Sequence, residues 1–413
     1  MESIRSLSLV TPQAAAVIYA LSASSVVAVV AALRPRWRIG WAAAGAVAVL
    51  DVAIFALNIW PKPFPDTVPW TVYACGTAAA FALFAALFAW RRGESRWRGV
   101  ALVVTAVISL ACAYLSTNLV YEQSPTVGSL HPRPVTRDMT LDELHASANA
   151  PQLEGREVGA LVTLPAPPMR DAIVYVPPAY FRGAELPVLV LLSGSPGNPS
   201  GWFGDGQADR ALDDFQARHG GVAPIVVSAD ATGSTTGNPG CVNGPDYKVQ
   251  TYLDTQLPEL ITQSFHVDQD QQDWTIGGLS YGGTCSLQVV ANNPKAYGSF
   301  LDISGEPEPS LGSHEKTVNE LFDGNEEAFQ NVNAATLLTR AAGTDTYAGI
   351  AGRFYAGTRD EMASNALPQL NDLAQAAGMD TSYHPLPGAH SYAVWRVALR
   401  QSLDFVAERG GIQ

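Results

Sequence analysis

Trp274-Thr275-Ile276-Gly277-Gly278-Leu279-Ser280-Tyr281-Gly282-Gly283 is the stretch on which the reading of this 413-residue chain turns. Its centre, Gly278-Leu279-Ser280-Tyr281-Gly282, fits G-x-S-x-G, a sharp strand-to-helix turn that lifts a serine hydroxyl into the open. The glycines serve a steric purpose: strand and helix must come close, and the turn needs backbone angles that a Cβ resists. Five residues can match by chance. Ser280 therefore needs a base, an acid, an oxyanion hole and a scaffold elsewhere in the chain.

The scaffold is legible on both sides of the turn. Residues 187–192 and 223–228 are short, continuous apolar runs, as strands buried on both faces are. Further strands are expected at 157–164, 172–176, 273–277, 299–304, 346–356 and 381–386, from β-branched content and flanking turn residues. Helices are expected at 208–218, at 247–265 (apolar Val249, Leu253, Leu257, Ile261), from Tyr281 to about 293, at 361–377 and at 392–408. A short helix at 141–150 is capped by Thr140 with Glu143 three residues on. Alternating strands and helices around buried strands predict an α/β domain with a mostly parallel sheet, covered on both faces, over 156–413.

Hydrolases of this build order their triad serine, acid, histidine. Three histidines follow Ser280. His390 stands in Leu386-Pro387-Gly388-Ala389-His390-Ser391-Tyr392, a loop between the last strand and the last helix, where a base can hang over the sheet edge. His384 lies in a strand pattern and His314 in an acidic, helix-prone insertion at 306–340. For the acid, Asp360 in Gly357-Thr358-Arg359-Asp360-Glu361 follows a strand and is placed to hold the imidazole tautomer. Glu361 is its adjacent rival, with Glu306 and Glu308 as a further pair. One oxyanion donor is the Tyr281 N–H. The other is expected from Ser193-Gly194-Ser195-Pro196-Gly197, at Ser195, since Pro196 has no N–H to give. Trp202 and Asp230, in loops on the site's side, are candidate substrate contacts, with loop packing as the alternative.

Leu192-Ser193-Gly194-Ser195 with Trp202, residues 247–258, the Gly278–Gly283 elbow and Gly388-Ala389-His390-Ser391-Tyr392 with Trp395 together resemble the esterase D family. That family includes feruloyl-type esterases and the antigen 85 mycolyltransferases of actinobacterial envelopes. The resemblance covers about 156–410. It implies an α/β-hydrolase fold and serine chemistry with roles for Ser280, His390 and the Ser195 and Tyr281 amides. Mycolyltransferases use a glutamate as acid, whereas Gly357-Thr358-Arg359-Asp360 is more similar to the feruloyl and simple esterase branch.

The first 121 residues are of another kind. Four apolar runs, 13–33, 39–60, 70–90 and 99–121, each approach the ~20 residues that cross a bilayer. Asp51 is the one carboxylate inside them, expected as a polar contact within the bundle or as a functional group. Arg34, Arg36 and Arg38 fill the first loop, and Arg91, Arg92, Arg96 and Arg98 the third. The middle loop holds only Lys62 and Asp66. Arginine-rich loops stay cytoplasmic, so both termini and the catalytic domain are expected outside, on a plasma-membrane anchor at 1–121 with a linker at 122–155. In that oxidising setting Cys241 and Cys285 are candidates for a disulfide, while Cys75 and Cys112 sit in the spans.

Of 25 Lys/Arg and 38 Asp/Glu, residues 1–130 hold 9 and 5, leaving 16 and 33 for the remainder. So acidic a domain excludes nucleic acid as a partner. Asp268–Asp273 lacks the glycine and terminal glutamate of a calcium loop. The glycines of 233–244 do not follow a dinucleotide-binding pattern. No Cys/His group has zinc spacing. No cofactor or metal is expected. The expected partners are an acyl ester or lipid substrate and the membrane lipids. Hydrolysis and acyl transfer to a sugar such as trehalose use the same residues up to the acyl-enzyme. A non-catalytic envelope-organising role, or lipid movement through the helices, is the alternative from another class.

Overall fold

The computed structural model describes residues 2–59, 67–91 and 95–412. The chain forms two compact units, Met1–Pro132 and Arg133–Gln413.

The first unit holds α1 (Pro12–Ala32), α2 (Trp37–Asn58), α3 (Trp70–Arg91) and α4 (Arg96–Tyr121). All four are long and apolar enough to cross a membrane. At 1.5 Å per residue they run about 32–39 Å, against a hydrocarbon core of ~30 Å. Small residues let the helices approach. A Cβ on Gly45 would lie 2.8 Å from the Phe84 ring, and Ala42, Ala46, Ala82, Ala85 and Ala89 are buried between helices. Ser109 donates to Ser25 across α4 and α1 at 2.6 Å. Asp51 does not lie inside the bundle. It is on the exposed surface, because α2 buries only the edge carrying Arg38, Ala42 and Ala46. The loop residues 60–66 and 92–94, on which part of the charge argument rests, lie outside the described residues.

The second unit is built on a nine-stranded sheet. Its strands are β1 (Arg137–Met139), β2 (Ala160–Leu164), β3 (Ala172–Val176), β4 (Val188–Leu192), β5 (Ile225–Ala229), β6 (Thr275–Leu279), β7 (Ser299–Ile303), β8 (Ala351–Gly357) and β9 (Asp380–Leu386). Their order is β1-β2-β3-β5-β4-β6-β7-β8-β9, parallel throughout from β5 to β9, with β3 antiparallel to both its neighbours. Part of the stretch read as linker is thus built into the domain: β1 pairs in parallel with β2, and α5 (Leu141–Ala146) carries the expected Thr140–Glu143 capping box. The signal was weak because a three-residue edge strand has no room for a period.

Alternate side chains of each strand feed opposite cores, as a two-residue period requires. Val188, Val190 and Leu192 of β4 join the core under the helical run that begins at 249 and ends as α7 (Leu257–Ser264), and under α8 (Tyr281–Asn292) and α12 (Glu361–Ala376). Leu189 and Leu191 join the other, under α6 (Ala208–Arg218) and α13 (Tyr392–Arg409). The insertion forms three short helices, α9 (His314–Phe322), α10 (Glu326–Gln330) and α11 (Ala334–Arg340). From β4 the chain goes first to β5 on one side, then to β6 on the other. That reversal opens a crevice at the C-terminal ends of β4 and β6, where ligands of open α/β sheets bind. This is the α/β-hydrolase-like fold expected of the sequence.

Candidate active site

Ser280 follows β6 directly and begins α8 with φ 54° and ψ −122°. That left-handed backbone on a non-glycine residue is strained and held by its surroundings. Ser280 N–H donates to Ile303 O at 2.8 Å, pinning the turn to β7. The flanking glycines are obligatory. A Cβ on Gly282 would meet Leu192 O at 2.3 Å, and one on Gly278 would meet Gly282 O at 2.5 Å. β4, the elbow and α8 pack backbone to backbone.

His390 reaches Ser280 from beyond β9. Its Nε2 lies 3.0 Å from Ser280 Oγ, and its Nδ1 lies 2.8 Å from Asp360 Oδ2. With the proton on Nδ1 donated to Asp360, Nε2 is left to accept from the serine hydroxyl. Asp360 stands at the N-cap of α12, where its Oδ1 accepts from Ala363 N–H. Backbone bonds tie the acid and base loops together: Thr358 N–H donates to Leu386 O and Arg359 N–H to Gly388 O, both at 2.8 Å. A Cβ on Gly357 would lie 2.7 Å from the carbonyl oxygens of Gly388 and Ala389, so this close approach needs glycine. The Trp395 ring meets His390 edge to face at 5.0 Å. The Asp360 side chain is 4% exposed and that of His390 15%, so the relay is nearly dry.

The alternatives stand elsewhere. Glu361 begins α12 beside Asp360, and it is Asp360 that His390 Nδ1 meets. His314 lies in the insertion between Glu308 (2.9 Å) and Glu326 (3.0 Å), whose hydrogen bonds hold its imidazole above the ordinary range. His384 stacks on Tyr355, and burial lowers its pKa. Glu306 is buried, its N–H donating to Thr284 Oγ1.

Across from the elbow runs the loop after β4. A Cβ on Gly194 would come 3.3 Å from Ser280 Cβ, so this glycine keeps the space above the serine open. Neither the Ser195 N–H nor the Tyr281 N–H donates within the protein among the described residues. Both amides are available to a ligand. The Tyr281 side chain is committed: its hydroxyl donates to Ala231 O (2.9 Å) and accepts from Cys241 N–H (3.2 Å). Cys241 and Cys285 form a disulfide between the loop after β5 and the first turns of α8. Cys75 and Cys112 are free and buried.

Trp202 and Asp230, the candidate substrate contacts, are both buried in the packing. Trp202 is wholly buried, and its indole N–H donates to Leu192 O at 2.9 Å, bracing the end of β4. Asp230 is 2% exposed and carries an ion pair with Arg170 at 2.7 Å. Burial works against its charge, but the Arg170 hydrogen bond and the N–H groups of Thr232 and Arg170 outweigh burial and hold its pKa below the ordinary range. Arg170 escaped the sequence reading because one arginine in Pro168-Met169-Arg170-Asp171 matches no motif. Asp302 escaped it too. This wholly buried carboxyl on β7 packs against Gly283, and burial pushes its pKa up to about 7 despite a bond from Gly305 N–H. Among the described residues no group of His, Cys, Asp and Glu is arranged to hold a metal.

The model of the esterase family matches residues 168–406. An uncharacterized protein of Corynebacterium glutamicum is 44% identical to the chain over the full length of both. Among solved structures, an S-formylglutathione hydrolase from Agrobacterium tumefaciens is similar at 19% identity and TM-score 0.50, covering 60% of this chain and 94% of its own. A ferulic acid esterase is similar at 19% identity and TM-score 0.52, covering 61% and 98%. At such identity the likeness is one of fold.

Proposed function

The chain belongs to the esterase family, and from that membership we propose that it is a membrane-anchored serine esterase or acyltransferase whose nucleophile is Ser280. The observation that carries the reading is the unbroken relay from Ser280 Oγ through His390 to Asp360, at 3.0 and 2.8 Å. Ser280 Oγ attacks the ester carbonyl as its proton passes to His390 Nε2, and Asp360 steadies the imidazolium. The Ser195 and Tyr281 amides receive the developing oxyanion. Collapse breaks the ester C–O bond, and His390 returns its proton to the departing alcohol. Water, or the hydroxyl of an acceptor, then resolves the acyl-enzyme with His390 again as base. Asp360 rather than glutamate as the acid favours simple ester hydrolysis over mycolyl-type transfer, and an acceptor assay distinguishes them.

In this reading the esterase domain faces the extracytoplasmic side and acts on envelope lipid or acyl-sugar esters. Two features support it: the arginines of the first and third interhelical loops, and a disulfide in the esterase unit, which suits an oxidising compartment. The test is a fluorophosphonate probe on the full chain in detergent, followed by mass spectrometry of the modified peptide. Label on Ser280, lost in Ser280→Ala, is the expected result. An unlabelled wild type overturns the enzyme reading. Acyl donor with and without trehalose then measures the share of transfer.

A further inference from the structure

The loop expected to supply the second oxyanion donor is short and strained for space. A Cβ on Gly197 would lie 2.3 Å from Gly194 O, so the loop doubles back on itself around Ser195. Apart from its junction with β4 and the bond from Ser193 Oγ to Asn198 O at 2.6 Å, it is held, among the described residues, by three bonds to neighbouring segments. Ser195 Oγ donates to Gly237 O at 2.8 Å, Gly197 N–H donates to Thr235 O at 2.9 Å, and Gly197 O accepts from Arg170 Nη2 at 3.1 Å. The first two anchors belong to the segment 230–237, and Arg170 organises that segment as well.

Asp230 is its foundation. Oδ1 accepts from Arg170 Nη2 (2.7 Å), Thr232 N–H (3.0 Å) and Thr232 Oγ1 (3.0 Å). Oδ2 accepts from Arg170 Nε (3.0 Å), Arg170 N–H (3.1 Å) and Gly233 N–H (3.1 Å). Arg170 Nη2 also lies 2.7 Å from Thr232 Oγ1. One planar guanidinium therefore grips the carboxylate along one edge and reaches Gly197 O and Thr232 from the same nitrogen. A flexible ammonium carries charge but no such fork. Both sides of the oxyanion loop, its direct bond and the segment beneath it, converge on the Arg170–Asp230 pair.

We propose that Arg170, seated on Asp230, is a positioning residue that sets the Ser195 amide for the oxyanion through the loop 193–197. It touches no reacting atom. The proposal rests on Ser280 being the nucleophile with the Ser195 amide in its oxyanion hole, and the readouts separate the two ideas. Arg170→Lys keeps a positive charge beside Asp230 while losing the fork. The double variant Arg170→Gln with Asp230→Asn removes both charges together, so no carboxylate is left buried alone.

Hydrogen exchange of the 193–198 peptide in the full chain is the first readout, and it is independent of activity. At least tenfold faster exchange in either variant, with the β4 and β6 peptides unchanged, is expected; exchange at the wild-type rate overturns the proposal. The second readout compares a p-nitrophenyl ester with its thiono counterpart, whose sulfur is a poor hydrogen-bond acceptor. Displacing one donor costs about 10–100-fold in kcat on the oxygen ester. KM should stay within about threefold, and the oxygen-to-sulfur rate ratio should fall about tenfold by the same reasoning. A kcat loss with an unchanged ratio overturns the positioning role. A wild type inert to both esters and to fluorophosphonate defeats the enzyme reading instead, and the exchange result still decides whether Arg170 orders the loop.

Discussion

Asp302→Asn should stabilise the protein at alkaline pH and do little in acid. The carboxyl is fully buried, its Oδ1 accepts from Gly305 N–H at 2.9 Å, and its Oδ2 has no partner among the described residues. Glycine is required on both sides of it, since a Cβ on Gly283 or Gly305 would lie 2.6 or 2.2 Å from Oδ1. Burial raises its pKa from 3.8 to about 7. The folded state therefore binds this proton more tightly than the unfolded chain. Its favourable contribution is complete below about pH 4 and is lost as pH rises through 7. A shift of three units corresponds to about 4 kcal/mol between the two limits. Asparagine keeps the shape and the Gly305 bond and cannot ionise, so the loss at high pH disappears. For a unit the size of 133–413, about 4 kcal/mol is about 7 °C in Tm. The assay is tryptophan-monitored melting of the full chain in detergent, wild type against variant, at pH 5 and pH 8.5. A gain at pH 8.5 that shrinks to less than half at pH 5 is expected, because the loss begins above about pH 4 and is complete only past 7. An equal shift at both pH values, or none at 8.5, refutes the idea of a proton held at Asp302.

Two further outcomes test the site and its frame. Asp360→Asn keeps a side-chain oxygen for the α12 cap but leaves the imidazole in the wrong tautomer, so kcat on an ester should fall about 10³–10⁴-fold, whereas Glu361→Gln should stay within about twofold; equal losses would unseat Asp360 as the acid. Cys241→Ser with Cys285→Ser opens a cross-link spanning 44 residues, which chain entropy values at no more than about 4 kcal/mol. Calorimetry should show a lowered Tm with Ser280 still labelled by fluorophosphonate, and an unchanged Tm would show that the bond does not brace the elbow.

What the chain wrote into contiguous residues could be read from it. The four apolar runs are helices within a few residues of their expected ends, because length and hydropathy are local properties. The buried strands and the elbow were legible for the same reason: continuous apolar runs and a glycine-flanked serine are one-dimensional signatures of crowding. Even Asp360 and His390 could be placed, since the loops after β8 and β9 lie at fixed positions along an alternating fold. Tertiary structure decided the rest. Trp202 and Asp230 lie on the site's side, as sequence position implies, yet the one packs inward under Leu192 and the other is consumed by Arg170, 60 residues away. The burial of Asp302, and the exposed setting of Asp51 on α2, likewise have no signature in their neighbours along the chain. A carboxylate looks the same in sequence whether it meets substrate, an arginine, another backbone or open surface. Only the contacts made across the sheet fix its charge and its task.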